Sequence, residues 1–503
     1  MGKEAQNTGS IPVLPDVSYP SEIGNWIDNE ECKAASGDSF SKLSPATGEA
    51  LFRVARSGKA DVNTAVESAK RAQVEWSQAT PVRRGDVLRA TALIFRDRAH
   101  ELAKIVALET GKSVKDALGE VGAAVEMGFF VAGEGRRFYG KTTTSAVPHK
   151  AALVVRQPLG VAGLIIAANT PMANVAWKVF PALLCGNAAV LKSSEDTPLT
   201  AWMCARIFGE AGVPPGVLNV VHGYGVEAGA PLVDHPDVSV VSFTGSTEVG
   251  RLIQKNAGAR LAKVCLELGG KNPLIVCDDA DLDKAVEATV LSACSNAGQR
   301  CAAGTRIIVF DSVYETFKAK LLERARTLKV GCQDTDDFGP VINEEQLINM
   351  VAAVEKARAA GAFLLAGGKR MVGPAYSRGY FMEPTVLEDS DPLSEISRTE
   401  LFGPICCLYR VKNFEEAVFS ANAYPYGLTA AIHTKNIDRA MTFLGKIQAG
   451  VAVVNGATYG SEPHMPFGGL KDSGTGWREA GSEALDVYSD WKTLYINFDP
   501  ARV

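Results

Sequence analysis

The middle of the chain alternates short apolar segments with segments of helical periodicity. Segments 151–157 and 160–167 have high β propensity and are nearly continuously apolar, which predicts strands buried on both faces. The apolar segments AAVLK, VLNVVHG and VSVVSFTG follow, separated by a helical pattern over Pro198–Ala211 and continued by a helix that opens at Ser246. Buried strands that alternate with helices are typical of a parallel sheet, so we predict an α/β fold.

The alternation restarts after residue 267 and indicates a second α/β domain. NPLIVC and RIIVF have the pattern of buried strands, and helices are expected near 280–296 and 312–329. In PICCLYRV, the adjacent Cys406 and Cys407 are interpreted as reduced core residues of a strand. The terminal segment WKTLYINFD is rich in β-formers, and an exposed strand edge of this kind predicts pairing with a second subunit.

Composition narrows the functional classes. Of 503 residues, 46% are apolar and 22% charged, the balance of an ordinary soluble globular protein. The formal net charge is -5 without a long block of one sign, so nucleic acid is not expected as a partner. No apolar run reaches the ~18 residues needed to cross a bilayer and no leader pattern is present, which predicts a cytoplasmic protein without a membrane partner. The scattered Cys and His residues predict no metal site.

Two residues suggest covalent chemistry. Cys301, in SNAGQRC, lies beside small residues at the expected end of a helix. An ordinary thiol, with a pKa near 8.5, needs a base or a low-pKa setting to act as a nucleophile, and by itself Cys301 is more readily interpreted as a core cysteine. Glu267 interrupts the apolar run AKVCLEL, where it either faces water at an edge or is a buried carboxylate with a raised pKa, able to accept a proton.

Further motifs suggest ligand binding. Asn169 ends an apolar strand at a turn made by Pro171, where its amide either donates to a developing oxyanion or caps the turn. Lys192 and Glu195 follow the strand AAVL, and they either hold a ribose diol or form an exposed ion pair. FTGSTEVG predicts a strand, a turn and a helix start that either binds a pyrophosphate or is merely capped. TELFGPI by itself predicts only a loop.

In this order and spacing, the motifs resemble those of the aldehyde dehydrogenase superfamily over nearly the whole chain, in its hydrolytic, NAD-preferring branch. The motifs that carry the resemblance include FTGSTEVG, LELGGKNP, NAGQRC, ELFGP and PFGGLKDSG. The resemblance implies an α/β, aldehyde-dehydrogenase-like fold with two parallel-sheet α/β domains and a small β oligomerisation domain. The implied boundaries are 1–138 and 158–267 for the dinucleotide-binding domain, 268–480 for the catalytic domain, and 139–157 with 481–503 for the oligomerisation strands. It also implies a homodimer or homotetramer.

The resemblance implies NAD-dependent oxidation of an aldehyde to the carboxylic acid through a thiohemiacetal and a thioester on Cys301. Asn169 and the amide of Cys301 would hold the oxyanion, Glu267 would activate water, and Lys178 would lie near the proton route of that base. Glu195 favours NAD over NADP, because a carboxylate accepts a hydrogen bond from a 2′-hydroxyl and repels a 2′-phosphate. The implied cofactor-binding residues are Ile166, Lys192, Glu195, Gly245, Ser246, Gly250, Glu400 and Phe402.

Departures from the family pattern bear on the substrate. Ala168 stands where many members have a bulky residue before the oxyanion asparagine, so we expect a less aromatic pocket wall. The arginine that semialdehyde-type members carry six residues before the nucleophile is Ser295 here, which weakens a succinate semialdehyde assignment but leaves other donors for an anionic substrate. A short, polar aldehyde is favoured by a set of polar residues: Asn174, Ser295, Asn455, Thr458, Ser461 and His464.

Three alternatives are weighed against this interpretation. A CoA-acylating semialdehyde dehydrogenase would pass the thioester to coenzyme A, but that branch usually lacks the base, and Glu267 is present. A non-catalytic structural member would tolerate loss of Cys301 or Glu267, and both are present. A cysteine hydrolase without a redox cofactor would need a histidine partner and would leave the dinucleotide motifs unexplained.

Overall fold

The structure of the chain is a computed structural model that describes residues 14–389 and 391–502. Its α-helices, in chain order, are α1 (Lys59–Gln78), α2 (Pro81–Asp97), α3 (Ala99–Thr110), α4 (Val114–Glu134), α5 (Pro171–Leu184), α6 (Pro198–Glu210), α7 (Ala230–Asp234), α8 (Thr247–Ala259), α9 (Leu282–Cys294), α10 (Asp311–Thr327), α11 (Glu344–Ala359), α12 (Glu395–Arg398), α13 (Phe414–Asn422), α14 (Ile437–Lys446) and α15 (Ala484–Tyr488).

The strands are also numbered in chain order. They are β1 (Glu22–Ile23), β2 (Asn25–Ile27), β3 (Glu30–Cys32), β4 (Ser39–Leu43), β5 (Ala50–Ala55), β6 (Lys141–Thr144), β7 (Lys150–Pro158), β8 (Val161–Ile165), β9 (Ala188–Lys192), β10 (Leu218–Val221), β11 (Val238–Thr244), β12 (Lys263–Glu267), β13 (Asn272–Val276), β14 (Gly304–Phe310), β15 (Phe363–Ala366), β16 (Thr385–Glu388), β17 (Ile405–Val411), β18 (Tyr426–Gly427), β19 (Thr429–His433), β20 (Val451–Val454), β21 (Leu470–Lys471) and β22 (Ser489–Asn497).

The first large sheet has seven strands in the order β12-β11-β8-β9-β10-β2-β3. Five of its strands, β8 to β12, are mutually parallel; at the edge opposite β12, β2 pairs antiparallel with β10 and β3 pairs antiparallel with β2. Every residue of β8 is buried, as its apolar sequence predicts. The carboxyl ends of parallel strands meet at one edge of a sheet, and this edge carries the segments that contain Asn169, Lys192, Ser246 and Glu267.

The second large sheet also has seven strands, in the order β15-β16-β17-β14-β13-β19-β20. All neighbours are parallel except the edge pair of β15 and β16. Cys406 and Cys407 lie in β17 as free, buried residues, which confirms their interpretation. Both large sheets are mainly parallel, with helices between consecutive parallel strands, so the α/β prediction is confirmed. Cys301 and Glu400 lie just before β14 and β17, at the amino edge of this second sheet.

A three-stranded antiparallel sheet, in the order β22-β7-β6, corrects one prediction. Segment 151–157 forms a strand, but within β7, and its burial on both faces is wrong: Val155 is 37% exposed. An apolar run does not reveal whether helices cover the strand, and β7 belongs to a small sheet rather than to the large one. The terminal strand β22 pairs with β7 along its whole length. Its other edge has no strand partner within the described residues.

The division into domains stays a proposal, which the grouping of strands into separate sheets supports. The range 139–157 contains β6 and most of β7, and 481–503 contains α15 and β22. Residues 1–13 of the first predicted domain and residue 503 of the last range lie outside the described residues. Over the ranges 14–389 and 391–502, no helix has the length and apolar character needed to cross a membrane.

A buried asparagine connects the first sheet to the C-terminal part of the chain. Asn187 Oδ1 accepts hydrogen bonds from the amides of Leu159 (2.8 Å) and Gly160 (3.0 Å), at the start of β8. Its Nδ2 donates to the carbonyls of Ala182 in α5 (3.1 Å) and Tyr488 in α15 (2.7 Å). Asn187 therefore fixes α5, which carries site residues, between the sheet and α15.

Asn187→Ala should destabilise the protein, because it leaves several buried amide and carbonyl groups without partners. With a cost of ~1–3 kcal/mol per unpaired group, partly relieved by water, we expect a loss of about 3 kcal/mol in the free energy of unfolding, measured by chemical denaturation. Asn497→Ala, at an exposed position of β22, is the matched control. Equal stability of the two variants would contradict the role of Asn187.

Candidate active site

The segment that presents Cys301 has an unusual backbone. After α9 ends at Cys294, Asn296 and Ala297 have φ angles of 55° and 54°, in the left-handed region that non-glycine residues rarely adopt. Each such residue costs about 1 kcal/mol or more, so the surroundings must hold the turn in place. Asn296 Nδ2 does so by donating to the carbonyls of Asn169 (3.0 Å) and Gln299 (3.1 Å).

A second asparagine fixes the exit from this turn. Nδ2 of Asn272, the first residue of β13, donates to the carbonyls of Cys301 (2.8 Å) and Ala303 (2.9 Å). Its Oδ1 accepts from the amide of Thr429 in β19 at 3.0 Å. The backbone of the cysteine is thereby anchored to the amino ends of two strands of the second sheet.

The thiol of Cys301 is partly buried against the core that underlies the first sheet. Burial raises its pKa to about 12, and the negative charges of Glu267 and Glu400 act in the same direction. The Ala302 amide and the Arg300 guanidinium oppose this rise. At neutral pH the sulfur therefore carries its proton, and a nucleophilic role requires a group that accepts it.

Glu267 is the last residue of β12 and fulfils the description of a buried carboxyl. It is 5% exposed, and within the described residues neither of its oxygens has a hydrogen-bond partner. Burial raises its pKa well above the ordinary value and the negative Glu479 raises it further, whereas Lys178 and Arg478 lower it. Of the two interpretations of the sequence, the edge position facing water is wrong. Gly468, at φ +157°, leaves room for this carboxyl, since a Cβ there would lie 2.7 Å from Oε1.

Lys178 lies on α5 and is fully buried, paired with Glu479. Both contact Ser242 of β11: Lys178 Nζ donates to Ser242 Oγ (2.8 Å), which donates to Glu479 Oε1 (2.8 Å). Lys178 was predicted from the sequence, whereas Glu479 was not. The segment TGWREAG reads as a polar loop, and only the position of this glutamate in an isolated bridge with Phe467 buries it.

Asn169 lies in the link between β8 and α5. Pro171 is the first residue of that helix, so the predicted turn is a helix start. Asn169 Nδ2 donates to the carbonyl of Gln299 (3.0 Å), two residues before Cys301. Its Oδ1 accepts from Asn174 Nδ2 at 3.3 Å. The asparagine amide and the nucleophile segment are therefore in direct contact, although 130 residues separate Asn169 from Gln299.

Lys192 and Glu195 form an ion pair of 3.0 Å where β9 ends. Lys192 is buried, whereas the Glu195 side chain is 41% exposed and open to a ligand. The buried Ile166 at the end of the neighbouring β8 donates its amide to the carbonyl of Lys192 at 3.3 Å. These three residues lie side by side at the carboxyl edge of the first sheet.

The next predicted group lies at the start of α8. Ser246 is exposed and caps the helix by accepting from the amide of Val249 at 3.4 Å. The amide of Gly245 donates to the carbonyl of Glu267 at 3.1 Å, which ties this turn to the base. Gly250 is buried against Leu268, where a Cβ would approach a methyl group to 2.5 Å. Its evident role is to let α8 pack closely on the strand end.

The same helix exposes two apolar residues that were not predicted as part of the site. Val249 is 43% and Leu252 57% exposed, three residues apart on one face of α8. They follow the exposed helix start at Ser246 on the same helix, so polar donors and an apolar surface lie close together there. The spacing of three residues on a predicted helix was the sequence signal that could have identified this apolar surface.

Glu400 and Phe402 lie in the loop before β17. Glu400 Oε1 accepts from the amide of Gly270 at 3.1 Å, and burial raises its pKa to about 7. A Cβ at Gly269 would collide with this carboxyl, so the glycine pair permits the approach. Phe402 has a left-handed φ of 56°. Glu400 is also close enough to Cys301 to raise its pKa, so this loop belongs to the same site.

Several polar residues expected to line the pocket are occupied elsewhere. Asn455 exchanges two 3.0 Å hydrogen bonds with the backbone of Thr434, and the buried Thr458 donates to the carbonyl of Ala302. Asn174 donates to the carbonyl of Thr170 at 3.0 Å. Ser461 and His464 are exposed on their loop. These contacts stabilise the walls, so most of these residues do not indicate substrate polarity.

An aromatic pair lies next to the site residues Lys178 and Gly468 in the sequence. Trp177 and Phe467 pack edge to face with centroids 5.3 Å apart, and Trp177 joins the same core as Cys301. Within residues 14–389 and 391–502, no group of three or more His, Cys, Asp or Glu side chains is arranged to hold a metal ion.

Comparison with known proteins identifies the family that this fold and site define. Residues 32–494 match the aldehyde dehydrogenase family. The alpha-ketoglutaric semialdehyde dehydrogenase of Bacillus subtilis (strain 168) is 38% identical over 94% of this chain and 97% of its own length. An aldehyde dehydrogenase of Davidiella tassiana is 39% identical over 96% of this chain and 97% of its own.

Solved structures with a similar fold support the same family assignment. The betaine aldehyde dehydrogenase of Staphylococcus aureus in complex with NAD+ has a TM-score of 0.93 at 33% identity, with 97% of this chain and 96% of that chain covered. HpcC from Thermus thermophilus has a TM-score of 0.92 at 36% identity, with coverage of 95% and 94%. This chain belongs to the aldehyde dehydrogenase family, and the resemblance in its motifs is confirmed.

Glu400→Gln should make Cys301 more reactive at alkaline pH. A pKa of about 7 leaves Glu400 charged at about pH 8.5, where it disfavours the thiolate, and neutral at about pH 5.5. Alkylation by iodoacetamide, followed on the Cys301 peptide by mass spectrometry, should therefore be several-fold faster in the variant at the higher pH and equal to the unmodified protein at the lower one. Glu383→Gln, in another part of the chain, is the control; no acceleration at alkaline pH would contradict this electrostatic account.

Proposed function

We propose that this aldehyde dehydrogenase oxidises its substrate through covalent chemistry on Cys301, with Glu267 as the general base and NAD as the hydride acceptor. The observation that carries the proposal is the meeting of three side chains from distant parts of the sequence. Asn169 contacts the segment of Cys301, and the charge of Glu267 acts on the Cys301 thiol. An amide donor, a nucleophile and a base are the groups that this chemistry requires.

In the first step, the Cys301 sulfur attacks the aldehyde carbon and its proton passes to a base. Glu267 is the acidic residue with the largest effect on the thiol, and its raised pKa gives it the affinity to accept that proton. Negative charge develops on the aldehyde oxygen, where Asn169 Nδ2 and the amide of Cys301 are the donors. Asn169 Nδ2 has two N–H groups, so it can keep its bond to the Gln299 carbonyl and donate the second N–H to the aldehyde oxygen.

The residues present fit a bound dinucleotide. The exposed carboxylate of Glu195 beside Lys192 suits the adenosine ribose, the start of α8 at Ser246 suits a pyrophosphate, and Glu400 with Phe402 suits the nicotinamide end. Val249 and Leu252 offer an apolar surface for the adenine. When bound, NAD would supply the hydride acceptor, and loss of that hydride turns the thiohemiacetal into a thioester.

After Glu267 has released the thiol proton to solvent, it removes a proton from water in the last step, the water oxygen attacks the thioester carbonyl and the carbon–sulfur bond breaks. The thiolate of Cys301 leaves and takes up the proton that Glu267 now holds, and the carboxylic acid is released. Lys178 and Glu479 are positioning residues here, because after burial their charges are the next causes that shift the pKa of Glu267: Glu479 raises it and Lys178 lowers it. A base with a raised pKa gains activity as pH rises through that pKa, so hydrolysis should be favoured on the alkaline side.

A polar aldehyde is the proposed substrate. The Bacillus relative is named for a semialdehyde and the Staphylococcus structure for betaine aldehyde, and both of these aldehydes are short and charged.

We also propose that the chain forms a homodimer or homotetramer through the free edge of β22, where Trp491, Tyr495 and Ile496 are exposed. A cytoplasmic location stays a prediction.

Glu267→Gln should slow the attack of the thiol, whose proton then passes only to solvent, and should stall the reaction after oxidation, because no base remains to activate water. With NAD and an aldehyde panel, we expect one equivalent of NADH, little free acid, and an acyl adduct on the intact protein detected as added mass. Cys301→Ala is the control and should give neither NADH nor adduct while still binding NAD. Unimpaired steady turnover by Glu267→Gln would refute the assignment of the base.

Glu195→Ser should relax the preference for NAD over NADP. Removing the carboxylate eliminates its repulsion of a 2′-phosphate and its hydrogen bond to a 2′-hydroxyl, so we expect the ratio of kcat/KM values for the two cofactors to fall by about tenfold or more. Glu210→Ser, at an exposed position of α6, is the matched control. An unchanged ratio would place the ribose elsewhere.

A further inference from the structure

The residue directly before the nucleophile, Arg300, is held in a defined orientation. Its Nε donates to Ser295 Oγ at 3.1 Å. Its guanidinium carbon lies 4.6 Å from the centre of the Tyr459 ring, in the range of a cation–π contact. The side chain is half-buried between the nucleophile turn and the 455–467 loop. Two contacts of different kinds therefore orient a guanidinium beside Cys301.

The terminal nitrogens of this guanidinium remain available. Nε makes the hydrogen bond to Ser295, and across the described residues Nη1 and Nη2 have no hydrogen-bond partner and no carboxylate within ion-pair distance. The acidic residue of the facing loop, Glu462, lies 3.6 Å from His464 instead. By contrast, Nη1 of Arg478 is occupied by three backbone carbonyls.

A charge of this kind suits a carboxylate. The planar guanidinium presents paired N–H groups that bind both oxygens of a carboxylate at once, and partial burial strengthens the interaction. The positive charge of Arg300 also acts on the Cys301 thiol, since it opposes the rise in the pKa of that thiol. The other groups that act strongly on the thiol, Glu267 and Glu400, are acidic and would repel an anionic substrate.

We propose that Arg300 binds a carboxylate at the far end of the substrate, so that the preferred substrates are aldehydes with an anionic tail. The inference rests on the proposed function, because it assumes that the aldehyde carbon is attacked by Cys301. Ser295 occupies the position where semialdehyde-type sequences carry arginine, and here it orients a guanidinium supplied from position 300. A cationic aldehyde, such as one with a quaternary ammonium group, is disfavoured by the same charge.

The direct test compares three variants on aldehydes of matched length with carboxylate, neutral hydroxyl or trimethylammonium tails, over a series of chain lengths. In Arg300→Gln, the ratio of kcat/KM for the anionic to the neutral aldehyde should fall about 10- to 100-fold, mainly through KM. Arg300→Lys should recover part of this preference for the anionic aldehyde, because lysine restores the positive charge but not the paired N–H groups of a guanidinium. Arg206→Gln removes an arginine stacked 4.5 Å from the Trp202 ring, away from the site, and should leave the ratio unchanged.

An equal loss for anionic and neutral aldehydes in Arg300→Gln would overturn the proposal and assign Arg300 to tuning of the thiol. A preference of the unmodified enzyme for the neutral or cationic aldehyde at every chain length would also overturn it.

A second measurement does not depend on turnover. Iodoacetate and iodoacetamide alkylate the same thiolate but differ in charge, so the ratio of their rates at Cys301 reports on a nearby cation and cancels changes in thiol pKa. Arg300→Gln should lower that ratio about tenfold, and an unchanged ratio would contradict a carboxylate site beside the sulfur. If no aldehyde is oxidised with NAD, the proposed function fails, whereas this ratio still tests the anion site.

Discussion

The buried ion pair of Lys178 and Glu479 is the interaction on which the site depends. Either charge alone would be expensive to bury, but paired and bonded to Ser242 they join α5, the first sheet and the C-terminal segment in one arrangement. The pair also acts on Glu267, because the negative member raises its pKa and the positive member lowers it. Burial is the main cause of the raised pKa of Glu267, and the charges of this pair modify it in opposite directions.

The reacting groups come from the edges of two sheets. The carboxyl edge of the first sheet supplies Asn169 and Glu267, and the amino edge of the second supplies the segments of Cys301 and Glu400. A strained left-handed turn at Asn296 brings the cysteine toward Asn169, and asparagine side chains satisfy the carbonyls that the turn exposes. The strain is localised at the point of chemistry, where the surrounding hydrogen bonds determine a single backbone path.

The sequence predicted the parts that depend on local pattern. Buried parallel strands are continuous apolar runs, so the α/β class and the strand that ends at Glu267 were recognisable. It did not predict what depends on distant contacts: Glu479 resembles a loop residue until it meets Lys178, 301 positions earlier. Similarly, the apolar pattern of segment 151–157 could not show that this strand is partly exposed to solvent. The polar side chain of Asn455 suggested a pocket residue, but its amide group is bonded to the backbone of Thr434.

Burial raises the pKa of the Glu267 carboxyl, the charge of Glu479 raises it further, and infrared spectroscopy can observe this carboxyl directly. The difference spectrum between the unmodified protein and Glu267→Gln isolates the carbonyl band of this protonated acid as pH is varied. The account predicts that the band persists to a pH well above the ordinary glutamate value near 4.3, and that its midpoint falls in Glu479→Gln, where the opposing negative charge is gone. A band that disappears at that ordinary value, with the same midpoint in both backgrounds, would contradict it.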